Sequence, residues 1–354
     1  MSAPLARINA IGTATPGHDI HQAFIDWAQG RVSEPRQAGL FSRMAARSGI
    51  EHRWSVLPKG SDGGSPVAPD GFYANGVMPP TSARMALYGE HAPALALEAI
   101  RALGPLGEIS HIVVASCTGF VAPGIDQILA ERLGLKPSVE RLLVGFMGCY
   151  AAISALRSAR HIVRSDPAAR VLVVTVELSS IHLQPETEIE PLLAMLQFGD
   201  GAAAALVTGS GPGLAIGETF AATLPDSAAL IQWAIGDTGF AMHLSGEVPG
   251  KIGEALRDPD FCRTVTGGVD ATLIDVWAVH AGGRSILDSV AHALALDEEA
   301  LAVSRAVLRD FGNMSSATLM FALAGYVEQM PRRGVALAFG PGLAAEGFGF
   351  SAVD

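Results

Sequence analysis

Three polar residues stand where an apolar segment of the sequence gives way to glycine or other small residues. Cys149 follows Gly148, His280 follows the apolar run Val-Trp-Ala-Val, and Asn313 follows Gly312. A cysteine thiol can hold an acyl group as a covalent thioester. An imidazole and a carboxamide can stabilise an enolate oxygen through hydrogen bonds. Together these residue types predict a site that holds an acyl group and stabilises an enolate beside it.

Each of the three residues also has an ordinary structural explanation. Cys149 fits a small buried thiol between a helix and a sheet, His280 fits a satisfied polar residue at a strand end, and Asn313 fits a helix cap. The surrounding sequence favours chemistry at two of them. The helix predicted near Cys149 would favour the thiolate and lower the thiol pKa. The glycines shortly after His280 would leave its ring open to a cavity.

The bulk composition bounds the class of protein. The chain has 354 residues, 49% of them hydrophobic and 17% charged, which predicts a large core and more than one domain-sized unit. A formal net charge of −11 argues against a nucleic-acid or anionic-membrane partner, so an anionic substrate would need a local basic patch.

Cysteine usage and the absence of targeting patterns favour the cytoplasm. Three cysteines make no disulfide framework, and the first ten residues lack the pattern of a signal peptide. No apolar run reaches the length of a membrane span. The histidines and cysteines show no metal-ligand spacing, so no metal site is expected.

Apolar runs typical of buried strands alternate with helical patterns along the chain. The predicted strands are 112–116, 171–176, 202–207, 274–279 and 335–339. The predicted helices run over 82–103, from near residue 149 to residue 166, and over 315–327. This alternation predicts an α/β fold.

The pattern of the first half returns in the second. Nearly the same spacing separates Cys117 from Cys149 as separates His280 from Asn313. We therefore expect duplicated α/β halves, residues 1–208 carrying the cysteine nucleophile and residues 209–354 carrying the histidine and asparagine. Both halves would present these residues at the carboxyl ends of strands, where such folds place their sites.

With these residues in view, the chain resembles the type III polyketide synthases, the chalcone synthase-like branch of the thiolase superfamily. Five segments carry the resemblance in chain order: G-C at 148–149, F-G-D-G-A-A-A at 198–204, H-A-G-G at 280–283, G-N-M-S-S-A at 312–317 and F-G-P-G-L at 339–343. The resemblance implies a thiolase fold, in which two similar halves form a layered αβαβα sandwich, and a homodimer.

The resemblance also implies a reaction. Cys149, paired with His280 in the resting enzyme, would take an acyl group from an acyl-CoA starter. His280 and Asn313 would bind the thioester carbonyl of malonyl-CoA and stabilise the enolate formed by loss of carbon dioxide. Attack of that enolate on the Cys149 thioester, repeated, would build a chain that cyclises or lactonises. CoA thioesters would be the substrates, and neither a metal nor a redox cofactor would be needed.

Residues outside the triad follow from the same resemblance. Arg43 and Arg47 would hold the CoA phosphates, which guanidinium groups suit, although a plain solvated helix face is the alternative. Leu40 stands where the family has a third basic residue, and Gly283 would also contact CoA. The residues expected to line the substrate cavity are Phe198, Met242, His182, Ser179, Trp233, Ala194, Ser315 and Pro341.

Several of these cavity positions depart from the family pattern. Met242 replaces a phenylalanine that gates the cavity, and Trp233 replaces a glycine. The bulk of Trp233 predicts a small starter or few extensions. His182 replaces a threonine and would either steer proton transfer during cyclisation or serve as a core histidine.

Two other functions remain open from the sequence. A β-ketoacyl carrier-protein synthase would use the same three residue types for a single condensation in fatty-acid synthesis. A non-catalytic acyl-CoA-binding member of the fold would keep the architecture without the reaction. The sequence does not reveal the starter, the number of malonyl additions or the mode of ring closure.

Overall fold

The computed structural model describes residues 5–61 and 64–354 of the chain. The α-helices are α1 (His21–Arg31), α2 (Pro35–Ala46), α3 (Thr81–Arg101), α4 (Ile125–Arg132), α5 (Ala151–Ser165), α6 (Ile189–Met195), α7 (Val248–Arg257), α8 (Pro259–Thr266), α9 (Arg284–Ala293), α10 (Ala302–Phe311) and α11 (Ser316–Val327). Short 3-10 helices cover Ala74–Gly76, Ser179–His182, Ala271–Leu273, Glu298–Leu301 and Pro341–Leu343.

The strands are β1 (Arg7–Ala14), β2 (His18–Asp19), β3 (Trp54–Ser55), β4 (His111–Ser116), β5 (Glu140–Gly145), β6 (Arg170–Leu178), β7 (Asp200–Thr208), β8 (Gly213–Thr223), β9 (Ile231–Gly236), β10 (Gly239–Leu244), β11 (Val276–Val279), β12 (Gly334–Gly340) and β13 (Ala344–Val353). The strands and helices predicted from the sequence are therefore confirmed, with ends that differ by a few residues.

The main sheet shows that the two halves are copies of one arrangement. Its strand order is β11-β12-β13-β8-β1-β7-β6-β4-β5. In the first half, β1 pairs antiparallel with β7, β7 antiparallel with β6, and β6 parallel with β4. In the second half, β8, β13, β12 and β11 repeat these three pairings in the same order. The predicted duplication is confirmed.

The two halves meet where β1 pairs antiparallel with β8, through Arg7 with Ala215 and Ile8 with Leu214. β7 ends at Thr208 and β8 begins at Gly213. Because one continuous sheet runs through both halves, the exact domain limits of 1–208 and 209–354 stay a prediction.

Side chains sort the sheet and helices into five layers. Along β6, Val171 and Val173 join a core with α5 and α11, whereas Leu172 and Val174 join a second core with α3. Across the second half, β11 and β12 share a third core with α7 and α9. The alternation follows from the two-residue period of a strand. Helices therefore lie outside each half and between the halves, as an αβαβα sandwich requires.

Two of the three predicted site residues lie shortly before the two central helices, α5 and α11. α11 is apolar on every side and almost wholly buried, which is typical of a helix packed between sheets. Cys149 precedes α5, Asn313 precedes α11, and His280 follows β11. The fold thus brings two helix starts and one strand end toward a common point. Within the described part of the chain, no helix has both the length and the apolar character needed to cross a membrane.

Candidate active site

Cys149 lies two residues before α5, in a turn that only glycine allows. Gly148 has a φ of 81°, and a Cβ placed there would lie 2.3 Å from Cδ of Pro341. The turn therefore presses the chain against the loop that follows β12 in the other half. The Cys149 side chain is 6% exposed.

Ser315 connects Cys149 to a second thiol. The Ser315 hydroxyl donates to Sγ of Cys149 at 3.7 Å and lies 3.0 Å from Sγ of Cys117. Cys117 is 3% exposed and follows β4 directly. The sequence pointed to Cys117 only through its spacing to Cys149 and gave it no place in the site. Cys117 is instead part of the wall around the nucleophile candidate.

Burial dominates the acidity of the Cys149 thiol. Removal from water raises its pKa to about 12, and the buried carboxyl Glu177 acts in the same direction. Hydrogen bonds with Ser315 and Asn313 favour the thiolate but do not outweigh burial. The prediction that the helix start lowers this pKa is therefore wrong for the substrate-free protein, which keeps a neutral thiol.

His280 continues the line of β11 and is 2% exposed. Its backbone N–H donates to Leu337 of β12 at 2.8 Å. Among residues 5–61 and 64–354, neither ring nitrogen has a hydrogen-bond partner. Burial lowers the pKa of the imidazole to about 3, so the ring is neutral. The expected pairing of thiolate with imidazolium is not formed here, because both groups are dry and uncharged.

Asn313 is fixed by its backbone and by its side chain. Its N–H donates to the Gln197 carbonyl at 2.8 Å and its carbonyl accepts from Gly199 at 3.0 Å, one bond on each side of Phe198. Its Oδ1 accepts from the Ser315 N–H at 2.8 Å, and its Nδ2 donates to the Gly282 carbonyl at 3.4 Å.

The carboxamide of Asn313 is therefore connected to both other predicted residues. It connects to the Cys149 thiol through Ser315, whose N–H donates to Oδ1 of Asn313 and whose hydroxyl donates to Sγ of Cys149. It also reaches Gly282, which packs against the His280 ring so closely that a Cβ there would lie 3.5 Å from Nε2. A simple capping role does not account for this, because Ser315 occupies the cap position of α11. The structure brings the three predicted residues together.

A small chamber surrounds the Cys149 thiol. Its lining is Cys117, Thr118, Gly148, Cys149, Ser179, Phe198, Trp233, Met242, Ser315 and Pro341. Its free volume is about 20 Å³, enough for about one water molecule. Six of the eight predicted cavity residues therefore lie around the thiol, and a substrate needs side chains such as Met242 to move aside.

Trp233 divides this chamber from a neighbouring one. Its indole N–H donates to the Cys117 carbonyl at 2.8 Å, and its ring meets His182 and Phe240 edge to face. The neighbouring chamber has a free volume of about 70 Å³ and shares Ser179, Phe198, Trp233 and Met242 with the first. Trp233 is thus held in place by these contacts and is one of the four residues that lie between the two chambers.

His182 belongs to the wall rather than to the chemistry. Its Nε2 lies 2.7 Å from the Thr118 carbonyl, and its Nδ1 accepts from the Phe240 N–H at 3.1 Å. Its ring stacks on Phe240 with centroids 4.3 Å apart. Burial lowers its pKa to about 3. Because both nitrogens are engaged and the ring is neutral, the core-histidine explanation fits better than proton steering.

Sequence reasoning missed Glu177, a wholly buried carboxyl at the end of β6. It accepts from the Cys117 N–H at 3.0 Å, from the Thr118 hydroxyl at 2.8 Å and from the Ser316 hydroxyl. Burial raises its pKa. The available signal was a lone acidic residue in an otherwise apolar strand. Glu177 ties the end of β4 to the start of α11.

A much larger cavity opens beyond the chamber, with a free volume of about 960 Å³. Its lining includes Arg47, Gly283 and Ala194, together with Gly282 and Gln197 next to the triad. Ala194, which the sequence predicted to line the substrate cavity, lines this outer cavity and not the chamber around the thiol. Arg43 is exposed on α2 and does not line the cavity itself. The large cavity and the small chamber come nearest along the chain at Gln197, which lines the first, and Phe198, which lines the second.

The neutral state of the thiol predicts how its reactivity depends on pH. Because burial raises the pKa of Cys149 to about 12, the thiolate fraction should rise about tenfold per pH unit. Alkylation of the Cys149 peptide by iodoacetamide, followed by mass spectrometry between about pH 7 and pH 10, should therefore accelerate without a plateau. Free cysteine, which levels off above about pH 8.5, is the reference. A plateau near neutral pH would show an activated thiolate instead.

Comparisons with known proteins agree with this geometry. The family model described as chalcone and stilbene synthases, N-terminal domain, matches residues 1–212, and the corresponding C-terminal domain matches residues 215–354. The chain is 36% identical over 287 residues to the alpha-pyrone synthesis polyketide synthase-like Pks18 of Mycobacterium tuberculosis, covering 76% of this chain and 73% of that protein.

Solved structures extend the likeness to the whole chain. PKS-I from the brown alga Ectocarpus siliculosus superposes with a TM-score of 0.89 at 28% identity, covering 100% of both chains. The C-terminal type III polyketide synthase domain of Steely1, a type I/III hybrid from Dictyostelium, gives 0.87 at 26% identity, covering 99% of this chain and 100% of that domain. The chain therefore belongs to the chalcone and stilbene synthase family and is a chalcone synthase-like type III polyketide synthase with the thiolase fold.

Proposed function

We propose that Cys149, His280 and Asn313 form the catalytic triad of this synthase. The observation that carries the proposal is that Ser315 joins Cys149 to Asn313: its hydroxyl donates to the thiol and its N–H donates to Oδ1 of the carboxamide. The buried ring of His280 packs on Gly282, whose carbonyl accepts from the same carboxamide. The outer cavity leads from the surface to Gly282 beside this group. A CoA thioester can therefore enter along it with the acyl group leading.

In the loading step, neutral His280 accepts the proton of the Cys149 thiol. Its two unpartnered ring nitrogens leave one free to take that proton. The sulfur then attacks the thioester carbonyl of the starter, and CoA leaves as the thiol after receiving the proton. The acyl group remains on Cys149 as a thioester.

In the extension step, the thioester carbonyl of malonyl-CoA accepts hydrogen bonds from an N–H of His280 and from Nδ2 of Asn313. Loss of carbon dioxide leaves an enolate, whose oxygen these donors stabilise. The enolate carbon attacks the Cys149 thioester, releasing the sulfur and lengthening the chain by two carbons on CoA. Transfer of the product back to Cys149 permits another round.

The small chamber favours a short product. About 20 Å³ of free volume beside a fixed Trp233 accommodates a small starter and few additions. The relative Pks18 is named for alpha-pyrone synthesis. An α-pyrone forms when an enol oxygen of a chain extended twice attacks its own thioester carbonyl. We therefore favour lactonisation after two extensions.

CoA thioesters are the only substrates this mechanism requires. Arg47 and Gly283 line the outer cavity and would contact CoA, with Arg43 reaching from the preceding turn of α2. Proton transfer, decarboxylation and condensation all use the thiol, the imidazole and the carboxamide, so no cofactor enters the proposal. A cytoplasmic location, expected from the cysteine usage, stays a prediction.

A second copy of the chain would cover the free edge of the main sheet. β5 forms that edge, and its Leu142 and Leu143 are each 43% exposed. Phe120 next to them is 42% exposed. Exposed edge strands with apolar side chains are normally covered in stable proteins. We therefore propose a homodimer formed through β5.

Intact-mass measurement after incubation with acyl-CoAs tests the nucleophile. Wild-type protein should gain the mass of one acyl group, whereas Cys149→Ala should gain none. Cys262→Ala, which removes the partly exposed thiol on α8, is the matched control and should be acylated normally. Turnover should proceed with malonyl-CoA and no carrier protein. Acylation of Cys149→Ala, or a requirement for carrier protein, would overturn the proposal.

Opening the partition should lengthen the product. Trp233→Gly would join the two chambers, so products with additional malonyl units, or acceptance of longer starters, are expected by liquid chromatography and mass spectrometry. Ile235→Ala changes an exposed residue on the same strand and should leave the product unchanged. A folded Trp233→Gly protein that loads its starter but makes the same product would contradict the volume argument.

Charges on β5 should dissociate the dimer. In sedimentation velocity the wild type should behave as a dimer, and the double change Leu142→Glu with Leu143→Glu should give monomers. Leu273→Glu, at a position that is 64% exposed elsewhere on the surface, is the control. A monomeric wild type, or a double variant that stays dimeric, would rule out this interface.

A further inference from the structure

The mouth of the outer cavity carries an arginine for which the triad chemistry gives no role. Arg284 is the first residue of α9 and lines the cavity together with Arg47. Its Nη1 donates to the Arg47 carbonyl at 3.4 Å. Two guanidinium groups from opposite halves of the chain thus lie at one opening, in a protein of net charge −11.

The stem of Arg284 is anchored while its charge stays in reach of solvent. A Cβ at Gly49 would lie 3.6–3.9 Å from Cβ, Cγ and Cδ of Arg284, so the methylene groups pack on that glycine. The side chain as a whole is 54% exposed. An anchored stem with an exposed guanidinium loses less freedom on binding an anion than a fully mobile arginine does.

Nearby acidic side chains do not fully neutralise the positive charge of Arg284. Asp288 lies 3.5 Å from Nε of Arg284 but only 2.7 Å from Arg305, which is its closer partner. Glu190 also lines the cavity, but no ion pair joins it to Arg284 in the part of the chain that the structure describes. Nη2 of Arg284, which neither Asp288 nor the Arg47 carbonyl engages, therefore remains available to a ligand.

Leu40 leaves a position at the cavity without the positive charge that a phosphate group would need. It lines the same cavity and is 41% exposed, with no charge to offer a phosphate. We propose that Arg284 supplies the phosphate contact that Leu40 cannot, binding a phosphate group of CoA together with Arg47. The start of α9, which follows Gly283, adds backbone N–H groups on the same side. This inference rests on the proposed entry of CoA through the outer cavity.

Kinetics with and without the CoA phosphates test the proposal. Arg284→Ala should raise KM for malonyl-CoA about tenfold and leave kcat nearly unchanged, as expected for loss of a charge-assisted phosphate contact. With malonyl-N-acetylcysteamine, a thioester without phosphates, kcat/KM should be the same in wild type and variant. Arg284→Lys should recover part of the loss, because it keeps the charge but not the bidentate geometry.

Arg263→Ala is the matched control. Arg263 is an exposed arginine on α8 that pairs with Asp260 within its own helix, much as Arg284 pairs with Asp288, but it does not line the cavity. Its removal should change neither substrate's KM. An unchanged KM for malonyl-CoA in Arg284→Ala, or an equal rise for the thioester without phosphates, would overturn the inference.

Direct binding separates this inference from the proposed reaction. By calorimetry, Arg284→Ala should weaken binding of free CoA and flatten its dependence on salt, while binding of pantetheine stays the same. These measurements need no turnover. If the protein binds CoA through Arg284 but is not acylated at Cys149, the proposed reaction is wrong and the inference about Arg284 stands. If Cys149 is acylated but the affinity for CoA does not change in Arg284→Ala, the inference is wrong and the proposed reaction stands.

Discussion

The burial of a thiol and an imidazole, each shut off from water, is the constraint on which the rest of the site depends. Moving a charge from water into such a place costs several kcal/mol, so Cys149 and His280 stay neutral until substrate arrives. In the proposed reaction, the same dryness would strengthen the hydrogen bonds from His280 and Asn313 to an oxyanion, because little solvent would compete for it. The thiol is thus neutral before substrate binds. In return, the dry site would stabilise the negative charge that develops during the reaction more strongly than water would.

Duplication of one α/β unit is what makes so dry a chamber possible. Each half contributes its central helix, and α5 and α11 pack between the same sheet layers. Their starts, where Cys149 and Asn313 lie, consequently meet deep inside the molecule rather than on its surface. Gly148 and Pro341 close the remaining gap across the halves, since no side chain larger than hydrogen fits at position 148. A single half would leave both helix starts exposed to water.

The sequence predicted what depends on local pattern and missed what depends on three-dimensional surroundings. Strand and helix positions, the duplication and the triad followed from apolar runs, glycines and matching motifs. The Cys149 pKa did not, because a helix start is visible in the sequence whereas depth of burial is not. The roles of Cys117 and Glu177 could not be predicted for the same reason. Cys117 contacts Ser315 and Glu177 accepts from Ser316, and both partners lie far along the chain. The sequence also did not distinguish the outer cavity, which Ala194 lines, from the chamber at the thiol.

In the proposed reaction, two cavities would divide the recognition of substrate into separate physical tasks. Starter and extender carry the same CoA group, so a CoA site at Arg47 would not tell them apart however tightly it bound. Discrimination must therefore come from the inner chamber, where shape decides. That shape is set by Trp233, which His182, Phe240 and the Cys117 carbonyl hold in place. Under this proposal, residues that never touch the breaking bond would determine which acyl group reaches Cys149, and changes among them would alter the product without disturbing the proposed triad.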